Sequence, residues 1–215
     1  LIHVIGDSHV LRFKDKLFKS HEILYATAHN LIEKNSSSNS RNKIFKVLES
    51  INKADCVMLA FGEIDCRAHI VKNAKINKVD LKKEVLFTVE RYFCFIKEIY
   101  EMGWTNLLVF APVASTPFYI EDSSFPTFGT VEERNMVTLY FKECLEDFCS
   151  IFDIPVISIY DDLLESEFHP AEKYYQNDKI HIKPEYQVEF FKNRLRDLKI
   201  PFKYGGRNRK ISFNK

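Results

Sequence analysis

The sequence predicts an α/β fold with a parallel sheet covered on both faces by helices. Three observations carry this expectation. Short apolar runs alternate along the chain with segments of helical period, the pattern of repeated strand–helix units. Several of the runs are apolar throughout, as strands buried on both faces are. No internal repeat and no composition break divides the 215 residues, a length that suits about one domain.

The elements follow in order. Leu1–Ile5 reads as a first strand closed by Gly6. Residues 8–19 place Val10, Leu11, Leu17 and Phe18 on one helical face, and residues 22–26 read as a second strand. A polar loop over 35–42 leads into a helix carrying Ile44, Val47, Leu48 and Ile51. Residues 56–61 form a continuous apolar strand closed by Gly62, followed by a polar insertion of about a dozen residues. The segment 82–102 is the strongest helix, with Val85, Val89, Tyr92, Ile96 and Ile99 on one stripe. Residues 107–111 are a fourth strand stopped by Pro112, and 112–128 is a long aromatic loop of the kind that carries function. A helix over 131–152 turns Val137, Tyr140, Cys144, Phe148 and Phe152 inward, and Pro155–Ile159 is a fifth strand. Pro184 opens a last helix with Val188, Phe191, Leu195 and Leu198 on its apolar face. The body is expected to span residues 1–200, and residues 201–215 to form a loosely attached basic tail.

Composition narrows the function classes. Hydrophobic residues make up 46% and charged residues 28%, which excludes a disordered or fibrous chain. The net charge of +1 gives no reason to expect nucleic acid as partner. The longest uncharged stretch, 102–120, is broken by Pro112 and Pro117 and is no membrane span. No charged-then-apolar leader opens the chain, yet it starts on Leu1 already in a strand. It therefore reads as trimmed, with room for a leader or another domain outside it. The five cysteines, an odd number without CxxC or metal spacing, are expected to be reduced thiols of a cytoplasmic protein.

In open parallel sheets, ligands sit at the carboxyl ends of strands. Gly6-Asp7-Ser8-His9 and Gly62-Glu63-Ile64-Asp65 follow such ends, and Asp178-Lys179-Ile180-His181 precedes the last helix. Ser8 opens a helical segment, so it suits either an N-cap or a nucleophile with a backbone N–H aimed at an oxyanion. His181 would be its base and Asp178, three residues earlier, the group that orients the imidazole. The Asp-x-x-His spacing is too common to be specific alone.

The pairing of Gly6-Asp7-Ser8 after the first strand with Asp178-x-x-His181 before the last helix resembles the SGNH/GDSL hydrolase family, over about residues 1–198. The resemblance implies a three-layer α/β/α sandwich with a five-stranded parallel sheet, of flavodoxin-like SGNH type. It implies Ser8 as nucleophile, His181 as base and Asp178 as orienting acid. It also implies a serine esterase or O-acetyltransferase that needs no cofactor or metal.

Two departures stand out. The family's third block is Gly-x-Asn-Asp, whose Asn donates to the oxyanion; here Ile64 stands in its place. The Gly of the family's second block is missing too, since no glycine lies between Gly6 and Gly62. The loop with Thr27 and Ala28 is expected to supply a backbone N–H instead, with Arg67 assisting. Losing one side-chain donor from an oxyanion hole costs about 3 kcal/mol. The run Phe61-Gly62-Glu63-Ile64-Asp65-Cys66-Arg67 resembles a variant third block of SGNH-like proteins near polysaccharide assembly. Hence the substrate expected is a small acyl, above all acetyl, ester of a carbohydrate. Glu63 would hold Arg67 or bind sugar hydroxyls, unless the two form only a surface ion pair. Cys66 is a weaker nucleophile candidate.

Other classes remain open. The same fold suits a carbohydrate-binding module of little or no activity, with Phe118, Tyr119, Phe125 and Phe128 stacking on sugar rings or merely capping the core. A metal-dependent phosphoesterase would use Asp7-x-His9, with His3, His29, His69 or His169 recruited. No GxSxG elbow, P-loop or GxGxxG is present. Residues 198–215 hold six Lys or Arg and no acid. They read as a solvated end, with attraction to an anionic glycan or membrane surface as the alternative. Small-molecule or glycan esters are the expected partners, and the oligomeric state is open.

Overall fold

A computed structural model describes residues 1–117 and 125–199. Five parallel strands form the sheet: β1 (Ile2–Gly6), β2 (Phe18–Glu22), β3 (Cys56–Ala60), β4 (Leu107–Phe110) and β5 (Val156–Ile157). Their order is β2-β1-β3-β4-β5, with Ile2 level with both Phe18 and Cys56. The chain direction across the sheet therefore reverses between β1 and β3, the crevice where such sheets bind ligands.

Alternation along the strands builds two cores. Val57, Leu59 and Val109 face α1 (Ser40–Glu49), α3 (Leu81–Glu101) and α4 (Val131–Ser150). Cys56, Met58, Ala60, Leu108 and Phe110 face the other way, onto α6 (Pro184–Asp197). Between these helices lie α2 (Ile70–Asn77), α5 (Tyr160–Leu163) and a small antiparallel pair, β6 (Leu164–Ser166) and β7 (His169–Pro170). This is the three-layer sandwich that the sequence predicts, with the strands in the expected number and direction.

Five local expectations are corrected. The helix expected over 8–19 is a single 3-10 turn, Ser8–Arg12, and the strand expected over 22–26 begins at Phe18 and stops at Glu22. The Asp15 carboxylate accepts the Leu17 N–H (2.9 Å), turning the chain back into the sheet. β2 is an edge strand of mixed polarity, whereas Leu24 and Tyr25, apolar in sequence, are exposed. The polar insertion after Gly62 is helical: a π turn, Asp65–His69, runs into α2 and buries Ile70, Val71 and Ala74. On α4 the buried stripe is rotated. Arg134, Asn135, Thr138, Phe141, Leu145 and Cys149 are buried with Val137, while Tyr140, Cys144, Phe148 and Phe152 are only partly covered. Leu198, expected inward, is exposed.

Two glycines are required by close approach. A Cβ on Gly6 would lie 2.1 Å from the Ala60 carbonyl oxygen and 2.6 Å from Val10. Gly62 has φ +113° and room for no side chain against Phe141. Both sit where the chain leaves the sheet toward the crevice. No helix among the described residues is long and apolar enough to cross a membrane. The tail over 201–215 lies outside the described residues.

Candidate active site

The turn after β1 is fixed by Asp7. Its carboxylate accepts the His9 N–H (3.0 Å), and its own N–H donates to the Ala60 carbonyl of β3 (3.3 Å). Asp7 is thus the N-cap, and burial pushes its carboxyl up to about 6. With the cap filled, the Ser8 hydroxyl is available elsewhere. It lies 2.7 Å from Nε2 of His181, 173 residues away in sequence. The α6 side chain Gln187, fully buried, donates to the His9 carbonyl (3.1 Å) and latches the turn to the last helix.

His181 is held from the other side. Its Nδ1 lies 2.7 Å from one oxygen of Asp178, while the other oxygen accepts the N–H groups of Ile180 (3.0 Å) and His181 (2.9 Å). The loop reaches this geometry through Lys179 in the left-handed region, φ +58°. Burial first, and then the charge of neighbouring His9, push the His181 imidazole down to about 4, against the pull of Asp178. Burial would raise the Asp178 carboxyl, but the hydrogen bonds from His181 and Ile180 outweigh it and hold it below its ordinary value. At neutral pH the arrangement is a serine hydroxyl on a neutral, carboxylate-oriented imidazole, able to take the serine proton. The ring of Phe125 stands edge-on to His181, centroids 5.6 Å apart.

The third block lies directly beneath. Glu63 takes a double hydrogen bond from Arg67, to Nε (2.6 Å) and to the Nη2 amino group (3.2 Å), and approaches Nε2 of His9 at 3.5 Å. All three side chains are buried, so the surface ion pair is excluded and Glu63 is the group that holds Arg67. Burial alone would raise the Glu63 carboxyl; Arg67 and His9 overcome it and hold it well below the usual range. His9 shows the converse. Burial lowers it, but Glu63 and Asp7 win and its imidazole is raised. Arg67 also donates to the Pro126 carbonyl (2.5 Å), tying the block to the segment that carries Phe125.

Asp65 accepts the N–H groups of Ala28 (2.7 Å) and His29 (3.2 Å), and burial pushes its carboxyl up to about 7. The Ala28 N–H is therefore committed to Asp65, so of the two loop N–H groups expected to face the oxyanion this one is taken. Thr27 sits one residue earlier, and its buried hydroxyl has no partner among the described residues. Gly62 supplies the bend, and Ile64 brings no donor. Cys66 is buried and its thiol is pushed well up, which removes it as a nucleophile candidate.

The histidines recruited for a metal site are scattered. His3 pairs with His21 (3.0 Å) on the sheet edge, and His169 contacts Glu132 (3.1 Å) near β7. No three His, Cys, Asp or Glu side chains gather for a metal ion among the described residues. Phe118 and Tyr119 lie outside the described residues. Sequence reasoning missed Gln187 and Arg134, polar helix residues that read as solvent-facing and are buried.

The chain has the α/β/α fold of a GDSL-like lipase from Bacteroides thetaiotaomicron, with 12% identity, TM-score 0.52, and 92% of this chain and 88% of that one covered. It is similar in the same way to Est24, a carbohydrate acetylesterase from Sinorhizobium meliloti (12% identity, TM-score 0.52, 92% and 97% covered). A chain from Streptococcus pneumonia matches at TM-score 0.61, with 13% identity and 92% and 82% covered. At this identity the likeness concerns the fold. No family model and no curated protein matches the sequence.

Proposed function

We propose that the protein is a serine esterase or acyltransferase acting on a small acyl ester of a carbohydrate. The observation that carries this reading is the pair of 2.7 Å links, Ser8 to His181 and His181 to Asp178. Ser8 Oγ attacks the ester carbonyl while His181 Nε2 takes its proton. The proton then passes to the departing sugar oxygen, leaving an acyl group on Ser8. Water, or a sugar hydroxyl, releases the acyl group with His181 again as base. Asp178 keeps the imidazole in the required tautomer.

The oxyanion falls to the Ser8 N–H at the start of its turn and to Thr27, whose unpartnered hydroxyl faces no competitor among the described residues. With Ile64 in place of an amide donor, turnover is expected to be modest. A carbohydrate carrier is favoured by the resemblance around Gly62–Arg67, by the fold shared with a carbohydrate acetylesterase, and by Phe125 against His181 as a stacking surface. Acetate release from acetylated monosaccharides tests the reading, with Ser8→Ala as control. Release that vanishes in Ser8→Ala supports it. Sugar binding without release in the native chain would favour a carbohydrate-binding module instead.

A further inference from the structure

Arg134, on the first turns of α4, is 5% exposed, and it forms no ion pair with any carboxylate among the described residues. Two of its N–H groups donate to main-chain oxygens, Nη1 to Gly129 (2.6 Å) and Nη2 to Thr116 (2.8 Å). Its Nε is buried with no acceptor. A guanidinium has five N–H donors, so three remain here, and the two partners in contact are neutral carbonyls. A buried charge is ordinarily paired; one held this tightly without a counterion marks a place where an anion belongs.

The surroundings suit that ligand. Arg134 lines a small cavity of about 10 Å³, room for one water, together with Arg67, Ser115, Thr116 and Lys179. It also lines an open cavity of about 450 Å³, and Thr127 borders both. No nearby acid touches it: Glu63 pairs with Arg67 and Glu133 with Lys75, while Glu132, on the rim of the larger cavity, contacts His169; all three favour the charged guanidinium only from a distance. Thr127 is two residues, about 7 Å of chain at most, from Phe125, whose ring in turn stands 5.6 Å from that of His181.

We propose that Arg134 receives a carboxylate carried by the substrate's sugar, making this an enzyme for acyl esters of acidic sugars. The planar fork of an arginine fits a carboxylate through two parallel hydrogen bonds, whereas a neutral sugar leaves Nε unsatisfied. The inference rests on the esterase reading for its substrate, but the anion site itself is separable from turnover.

The test has two arms. Thermal melting of the wild-type chain is compared in potassium glucuronate and in potassium chloride at equal ionic strength. A higher melting temperature in glucuronate, lost in Arg134→Gln, is expected. In the second arm, kcat/KM is compared for mono-O-acetyl glucuronate and mono-O-acetyl glucose. The wild type is expected to favour the glucuronate ester by about tenfold or more, mostly through KM. Arg134→Gln should erase that ratio and Arg134→Lys restore part of it. Equal melting in the two salts, or a ratio that Arg134→Gln leaves unchanged while both substrates fall together, overturns the proposal and makes Arg134 a strap between α4 and residue 116. If neither ester turns over but glucuronate still stabilises the wild type, the esterase reading fails and the anion site stands.

Discussion

The rings of His9 and His181 lie 4.7 Å apart, tilted by 40°. The two imidazoles therefore compete for one proton in a buried space. Glu63 and Asp7 decide the contest by favouring charge on His9, and His181 is left neutral. A motif that reads as Ser plus one neighbour in sequence thus becomes an electrostatic setting for the base.

A pH profile reports that setting. His181 must be neutral to accept the serine proton, so activity falls as pH drops through its folded value. With that value near 4, the acid limb of kcat/KM for an acetyl ester is expected near pH 4 rather than near 6.5. His9→Asn removes the competing charge and should move the limb upward. A limb near 6.5 in the wild type would show that neither burial nor His9 lowers His181, and a limb that His9→Asn leaves in place would remove the part given to His9.

Asp178 orients His181 through Nδ1 while its other oxygen holds the loop N–H groups. Asp178→Asn keeps the shape and loses the charge, and kcat should fall by roughly 10⁴-fold with little change in melting temperature. A fall below tenfold in steady-state assays would remove Asp178 from the proposed triad.

Glu63 and Arg67 are buried together, so breaking the pair strands a cation. Glu63→Gln should destabilise the fold by about 3–5 kcal/mol in urea titrations. The folded carboxyl of Glu63 is held below its unfolded value, so its contribution is present above the unfolded value of about 4.5 and is lost as pH falls toward the folded one. The wild type's advantage over Glu63→Gln should therefore begin to shrink below about pH 4.5 and keep shrinking toward the folded value. A variant as stable as the wild type at pH 7 would refute this.

By the resemblance of the block that Gly62 opens, Ile64 stands where an oxyanion donor is expected. Ile64→Asn is expected to raise kcat by about tenfold or more, with KM little changed. Unaltered kcat in a folded variant would show that position 64 does not face the reacting carbonyl.

Much of the fold was legible because strands buried on both faces, such as Cys56–Ala60, leave continuous apolar runs. The edge strand β2 is misplaced because Phe18 is followed by four polar residues, Lys19 to Glu22, with no strand-like pattern, while Ile23-Leu24-Tyr25 mimic a strand. Ser8, Asp178 and His181 were placed by motif and position, and the structure brings them together. Arg134 escaped notice because a charge on a helix reads as a solvated face. Only the three-dimensional setting shows it buried. The engagement of the Ala28 N–H is illegible for a similar reason, since the Asp65 carboxylate that claims it lies 37 residues away.

The most direct measurement of the central claim is labelling with a fluorophosphonate, located by intact mass and peptide mapping. The account predicts a single adduct on Ser8 that disappears in His181→Ala, a substitution that leaves the hydroxyl in place. No adduct on the folded wild-type protein, or an adduct that persists in His181→Ala, would contradict an activated serine.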